Sequence, residues 1–319
     1  MKYLGGKQRL GKVIGPILRD IWTTGQSAAL SHTLLTLTHA HNDAYNAYVE
    51  PFCGSLGVLR VVVDTFPPSA TILASDYHPD LIQMWREVQA GTFEYPSEDV
   101  CATEEDYLRI KATKLPNGDP IALKAFIGFG LGFGGRYFAS FAPKYANGKK
   151  EDFLGEMTHS VKAVQAILHK YKSTDSPVVT FQCLDYRNTV STATDTATAT
   201  ATQERPYLVY CDPPYRSTKF PIKYRRDVKH YDDFDSDEFW ERMREWSTRH
   251  TVLISEMSAP EDFVEVWSMQ RYRSACQSVK TRFKCSDDTT AHKTEEYKNE
   301  KLFVHKSRLC AKDQDRDQE

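Results

Sequence analysis

Apolar residues recur along this chain in two rhythms, one with the period of a helix and one as short runs bounded by turns. Val13, Ile14, Ile17, Leu18 and Ile21 lie at helical spacing and predict an amphipathic helix over residues 8–22. A polar, histidine-containing connection over 23–46 leads to a short strand ending at Val49. Residues 55–64 read as a second helix, 71–75 as a second strand and 79–90 as a third helix. Strands and helices alternating at this tempo predict right-handed parallel crossovers in a doubly wound α/β sheet.

From about residue 93 to 175 the rhythm changes. Helical patterns over 104–114, 120–131 and 152–171 surround a glycine- and aromatic-rich patch, Gly128 to Phe138. This stretch reads as a helical insertion outside the sheet. Strand alternation resumes at Val178-Val179-Thr180-Phe181. The Thr/Ala low-complexity tract at 189–202 predicts a disordered loop, extended here to 205. The sheet continues with Tyr207–Cys211 and Thr251–Ser255, and the helix between them opens on Asp235-Ser236-Asp237-Glu238, good N-cap chemistry. Residues 272–281 and 297–305 alternate and predict a closing antiparallel pair, followed by a frayed polar tail at 311–319.

Composition narrows the class. With 319 residues, 40% hydrophobic and 26% charged, the chain has room for one large α/β domain with an insertion, or for two domains. No apolar run approaches the ~18 residues of a membrane span, and the start lacks the apolar core of a signal peptide. Seven scattered cysteines with no C-x-x-C pair argue against a zinc site or a disulfide framework and for a reducing intracellular setting. His39 and His41 have no Cys or carboxylate partner pattern, so no metal is expected. A net charge of −2 does not mark a nucleic-acid binder, but distribution matters more than the sum. Between 215 and 230, six cations including Lys219, Lys223, Arg225 and Arg226 face a lone Asp227, interleaved with Tyr215, Phe220 and Tyr224. A solvated charged loop is the alternative reading of that run.

The candidate chemistry sits where strands end. Tyr207–Cys211 is followed by Asp212-Pro213-Pro214-Tyr215. Proline cannot extend a central strand, so the backbone must turn away and leave carbonyls and the Asp212 carboxylate as acceptors. Acceptors beside a flat ring suit a planar, amino-bearing substrate such as adenine, cytosine or a glutamine amide. Upstream, Glu50-Pro51-Phe52-Cys53-Gly54-Ser55-Leu56-Gly57 joins a strand to a helix; its glycines allow close approach of a ligand, and a helix start offers N–H groups. Asp76 stands just past the next strand, where an acid suits the diol of a ribose. An adenosine-type cofactor fits that pair, whereas the absence of G-x-G-x-x-G disfavours NAD or FAD. Gly5-Gly6-Lys7 lacks the preceding glycine and strand of a P-loop.

The order of Lys2-Tyr3-Leu4-Gly5-Gly6-Lys7, Glu50-Pro51-Phe52-Cys53-Gly54, Ser75-Asp76, Asp185-Tyr186 and Asp212-Pro213-Pro214-Tyr215 resembles the Dam-like DNA adenine-N(6) methyltransferases over roughly residues 1–305. The Gly128–Phe138 patch and Ile254-Ser255-Glu256-Met257-Ser258-Ala259-Pro260 look most like the phage and bacterial branch. The resemblance implies a doubly wound, mostly parallel sheet of the Rossmann-like class I methyltransferase type, S-adenosylmethionine as cofactor and double-stranded DNA as partner. It implies a catalytic domain from 1–92 and 176–310, with the 93–175 insertion recognising the DNA target. Asp212, Pro213, Pro214 and Tyr215 would be catalytic; Tyr3, Lys7, Glu50, Phe52, Gly54, Asp76 and Asp185 would hold the cofactor. Arg136, Tyr137, Lys144, Lys219, Lys223, Arg225 and Arg226 would meet DNA, and a monomer or weak dimer is expected. Tyr3 stands where some relatives have Trp, and Leu56 where many have a small residue. Read without the family, Lys7 fits a surface charge, Tyr3 core packing and Asp185 a turn cap. An RNA base, a glutamine amide, or non-catalytic DNA binding are the alternatives; enzymes of the second kind tend to carry Asn in place of Asp212 and lack the Gly-Gly-Lys segment.

Overall fold

Alternation along each strand decides which layer each side chain joins. In the computed structural model the described residues are 6–32, 34, 45–142, 145–146, 149–150, 152–170, 178–197, 205–214, 234–271 and 298–310. The chain runs α1 (Gln8–Thr24), β1 (Ala47–Glu50), α2 (Leu59–Thr65), β2 (Thr71–Asp76), α3 (Pro79–Ala90), α4 (Glu104–Ala112) and α5 (Ala122–Gly130). Two short strands, β3 (Tyr145–Ala146) and β4 (Lys149–Lys150), precede α6 (Phe153–Lys170), β5 (Val178–Cys183), α7 (Tyr186–Ala197) and β6 (Tyr207–Cys211). Then come α8 (Ser236–Ser247), β7 (Thr251–Glu256), β8 (Phe263–Arg271) and β9 (Lys298–His305).

Seven strands form one sheet in the order β5-β2-β1-β6-β7-β9-β8. The pairs from β5 to β7 are parallel, and β9 lies antiparallel between β7 and β8. Tyr48, Ile72, Ala74, Leu208, Tyr210 and Leu253 point into one apolar layer with α1, α2 and α3. Their neighbours Ala47, Val49, Leu73, Val209, Val252 and Ile254 point into the other, against Tyr186, Val190, Phe239, Trp240 and Met243 of α7 and α8. Both faces being covered is what a parallel sheet requires.

The insertion shares the first of these layers. Phe126 and Phe129 of α5 and Met157, Val161 and Val164 of α6 belong to the same apolar cluster as Trp85 and Val88 of α3. Asp80 on α3 ties it down, accepting the Ile121 N–H at 2.7 Å and the Tyr137 hydroxyl.

Three expectations change. The helix predicted from residue 55 begins at Leu59, because 51–58 is spent on a turn. The tract read as a disordered loop from 189 carries helix α7 as far as Ala197. Asp185 accepts the Arg187 N–H at 2.9 Å at its start, and Tyr186 and Val190 anchor it in the core. The partner of β9 is β8 rather than 272–281, which lies outside the described residues, as do 198–204 and the 311–319 tail. A register shift between Glu265 and Trp267 breaks the two-residue alternation by which β8 could have been read.

Candidate active site

Parallel strands bring all their carboxyl ends to one edge, where α/β sheets bind ligands. Four acids gather there: Glu50 ends β1, Asp76 ends β2, Glu256 ends β7, and Asp212 follows β6. Because β9 runs the other way, its first residues reach the same edge, with Lys301 opposite Glu256 and Glu300 one position earlier.

The turn after β1 is built by backbone. Gly54 takes a left-handed conformation at φ 45°, and Leu56, fully buried, does the same at φ 56°. A left-handed non-glycine residue is uncommon, so Leu56 keeps a glycine-like turn with a core side chain. The Cys53 N–H donates to the Ser75 carbonyl at 2.9 Å, and the Trp85 indole donates to the Gly54 carbonyl at 2.9 Å. Asp76 accepts the Gly54 N–H and the His78 N–H, each at 3.0 Å. Burial nonetheless lifts Asp76 to about 6, against the lowering effect of those N–H groups. Glu50, buried beneath the turn, accepts the Tyr48 hydroxyl at 2.7 Å, and burial pushes it up to about 8.

Two glycines let the start of α1 rest on this turn. A Cβ on Gly57 would lie 2.8 Å from the Lys7 carbonyl carbon, and one on Gly11 would lie 2.0 Å from the Gly57 carbonyl oxygen. Backbone thus meets backbone, and Lys7 is carried over the sheet edge. Its side chain is 5% exposed. The ammonium stands 2.8 Å from Glu300 Oε2 and 3.3 Å from Asp212 Oδ1. Burial raises Asp212 to about 6; Lys7 opposes that rise, while Glu300 and Glu256 add to it. Pro213 is buried and Pro214 half-buried behind it.

The remaining predicted residues divide. Phe52 packs against Tyr186, Phe239 and Phe234, with ring centroids 5.3, 6.0 and 6.1 Å away. Asp185 follows Leu184, whose N–H donates to the Asp76 carbonyl at 3.1 Å. Both Asp185 carboxylate oxygens meet Arg187, which also grips Glu238 at 2.5 and 2.6 Å. Tyr137 spends its hydroxyl on Asp80 and stacks edge-on to His78 at 4.2 Å, while the neighbouring Arg136 is half-buried. Tyr3, Lys144, Tyr215, Lys219, Lys223, Arg225 and Arg226 lie outside the described residues. Sequence reasoning missed Glu300, which sits in an ordinary alternating strand far from Lys7. It noticed Glu256 only as part of a motif without a role. Among the described residues no cluster of three His, Cys, Asp or Glu side chains could hold a metal, and no helix is long and apolar enough to cross a membrane.

This strand order, with one antiparallel strand set next to the edge and acids collected at the carboxyl ends, defines a Rossmann-like methyltransferase fold. A family model for D12 class N6 adenine-specific DNA methyltransferases matches residues 29–282, and the chain belongs to that family. A search of curated proteins returns no match. Among solved structures, two of the rRNA methyltransferase aviRa from Streptomyces viridochromogenes are similar. One has 10% identity and a TM-score of 0.34, covering 92% of this chain and 83% of that one. The other has 12% identity and a TM-score of 0.35, covering 95% and 86%.

Proposed function

We propose that this chain moves a methyl group from S-adenosylmethionine to the exocyclic amino group of an adenine turned out of duplex DNA. The observation that carries the reading is the Asp212 carboxylate, fixed at the end of β6 beside Lys7 and next to the Glu50–Gly57 turn.

The residues of that turn suit the cofactor. Glu50 is a buried acid whose neighbours are the Tyr48 hydroxyl and the Asp212 carboxylate, so a cationic amino group there would be matched by its ionised form. The Ser55 hydroxyl is buried with no hydrogen-bond partner among the described residues, which leaves it for a polar ligand atom. Asp76 accepts backbone N–H groups from Gly54, His78 and Tyr77, which leaves about one of a carboxylate's four acceptor sites for a ribose hydroxyl. Gly54 and Phe52 would line the same side, Asp185 would shape it through Leu184, and Lys7, with Tyr3 expected beside it, would close it. When bound, S-adenosylmethionine supplies an electrophilic methyl group whose sulfur leaves as a neutral thioether.

The protein's part is to shape the nucleophile. The adenine amino nitrogen is weak because its lone pair is delocalised into the ring. Donating its two hydrogens to Asp212 and to the Pro213 carbonyl pulls it towards a tetrahedral form, held in line for displacement. The lone pair then forms the new N–C bond as the C–S pair withdraws to sulfur. The surplus amino proton passes to the Asp212 carboxylate and on to water, which an acid near 6 can relay at neutral pH.

Turning the base out costs a few kcal/mol. Stacking on Tyr215 would return about 1–3 kcal/mol. Phosphate contacts from Lys144, Lys219, Lys223, Arg225 and Arg226, with Arg136 on the insertion, would supply the rest and make binding fall steeply with salt. With its hydroxyl taken by Asp80, Tyr137 would serve DNA through its ring or by fixing Arg136. One chain supplies every residue of this scheme, which suits a monomer or weak dimer.

The test is to incubate the protein with methyl-labelled S-adenosylmethionine and, separately, duplex DNA, RNA and protein. Label recovered as N6-methyladenine in DNA is the expected outcome. Label only in RNA or protein, or in nothing, would overturn the reading.

A further inference from the structure

Glu300 reaches the site from the opposite end of the chain, 293 residues from the lysine it grips. It arrives because β9 runs antiparallel and delivers its first residues to the edge where the parallel strands end. The Lys7 ammonium is almost fully buried, so it cannot swing into water, and Glu300 is its nearer carboxylate at 2.8 Å against 3.3 Å for Asp212. A lysine closed fully on Asp212 would compete for the oxygens that an adenine amino group needs.

We propose that Glu300 is a positioning residue for the transfer: it shares the Lys7 ammonium with Asp212 and holds it part-way off, so that Asp212 keeps an acceptor oxygen for the base. This rests on the reading of Asp212 above. The charged and titratable groups facing Asp212 are Lys7 from the chain's start, Glu300 from β9, Glu256 from β7, Glu50 from β1, and Tyr210 and Cys211 from β6. Lys7 favours the ionised carboxylate, whereas Glu300 and Glu256 disfavour it. Removing the Glu300 charge therefore takes away the nearer carboxylate that competes with Asp212 for Lys7, and lowers the pH at which Asp212 takes up its proton. Removing the Lys7 charge does the opposite. A merely structural role for Glu300 predicts neither.

The experiment compares wild type, Glu300→Gln, Glu300→Asp and Lys7→Met as full chains. Asp212 is titrated by carboxyl-carbon NMR in the protein alone, its signal assigned by loss in Asp212→Asn. Single-turnover transfer to DNA is followed across the same pH range. In Glu300→Gln the Asp212 transition and the acid limb of the rate both move down by roughly half to one pH unit. The plateau rate falls about tenfold, while KM for DNA and cofactor stays within about twofold. Glu300→Asp restores part of both, and Lys7→Met moves the Asp212 transition up. An Asp212 transition unmoved in Glu300→Gln, or moved in the same direction by Lys7→Met, overturns the proposal. If Glu300→Gln does not fold, Glu300→Asp and Lys7→Met decide it by the same NMR shift. Wild-type protein that methylates no DNA sinks the reading of Asp212 and this inference with it, whereas an active wild type with an unmoved Glu300→Gln sinks the inference alone.

Discussion

The two halves of the site are held by different forces. The turn after β1 is fixed by main chain: Gly54, Cys53 and His78 give N–H groups to Asp76 and Ser75, and Gly57 lies against the backbone of Lys7. The end of β6 is set by its sheet neighbours but its carboxylate is held by charge, with Lys7 between Asp212 and Glu300. A frame of backbone hydrogen bonds is indifferent to modest changes in salt, and only its Asp76 acceptor, pushed up to about 6, makes it sensitive to pH. A buried ammonium shared by two carboxylates is neither indifferent nor replaceable by shape alone. The first arrangement suits a cofactor that must be bound the same way each time. The second suits a group whose ionisation state takes part in the reaction.

That contrast can be broken from either side. The largest effect on turnover should come from Asp212→Ala, which removes the acceptor and relay. Transfer should fall by at least ~10²–10³-fold while calorimetry finds cofactor affinity within about threefold of wild type, the backbone half being untouched. Gly57→Ala attacks the other half and should reduce stability by about 3 kcal/mol or more, because the added methyl meets backbone that cannot give. Thermal melting would show it, and an unchanged Tm would mean that α1 does not rest on the turn. Asp76→Ala should weaken cofactor binding roughly tenfold to a hundredfold, the range of a lost charge-assisted hydrogen bond. Single-turnover transfer at saturating cofactor should recover most of the wild-type rate. The smallest effect is expected from Asp185→Ala. Its carboxylate is already held by Arg187, so the variant should lose about 1 kcal/mol of stability as a helix cap and less than about threefold in cofactor affinity.

Much of this division was legible in the sequence, and the legible part has a physical pattern. Strands and helices whose neighbours in sequence are also neighbours in space were read from periodicity: β6 at Tyr207–Cys211 and α3 at Pro79–Ala90 begin and end where the residues say. Asp235 caps α8 as expected, accepting N–H groups from Asp237 and Glu238. The backbone half of the site could be anticipated because its glycines and Asp76 lie within one strand–helix–strand unit. The left-handed Leu56 could not, since nothing in a leucine announces that conformation. The charged half was only partly visible. Lys7 and Asp212 carry recognisable motifs, but their meeting with Glu300 depends on the direction of β9, which local patterning does not encode. The bulge in β8 hid the partner strand for a related reason, since one extra residue moves every later side chain to the other face.

The central claim is that an ionised Asp212 receives the adenine amino group. Asp76 also titrates near 6, so the decisive measurement is the single-turnover rate against pH at saturating cofactor and DNA, where the cofactor half no longer limits. Above about 6 Asp212 is a carboxylate and the rate should be flat; below about 6 it gains a proton, can no longer take up the amino proton, and the rate should fall tenfold per unit. A rate that stays level from pH 7 down to 5 would contradict the account.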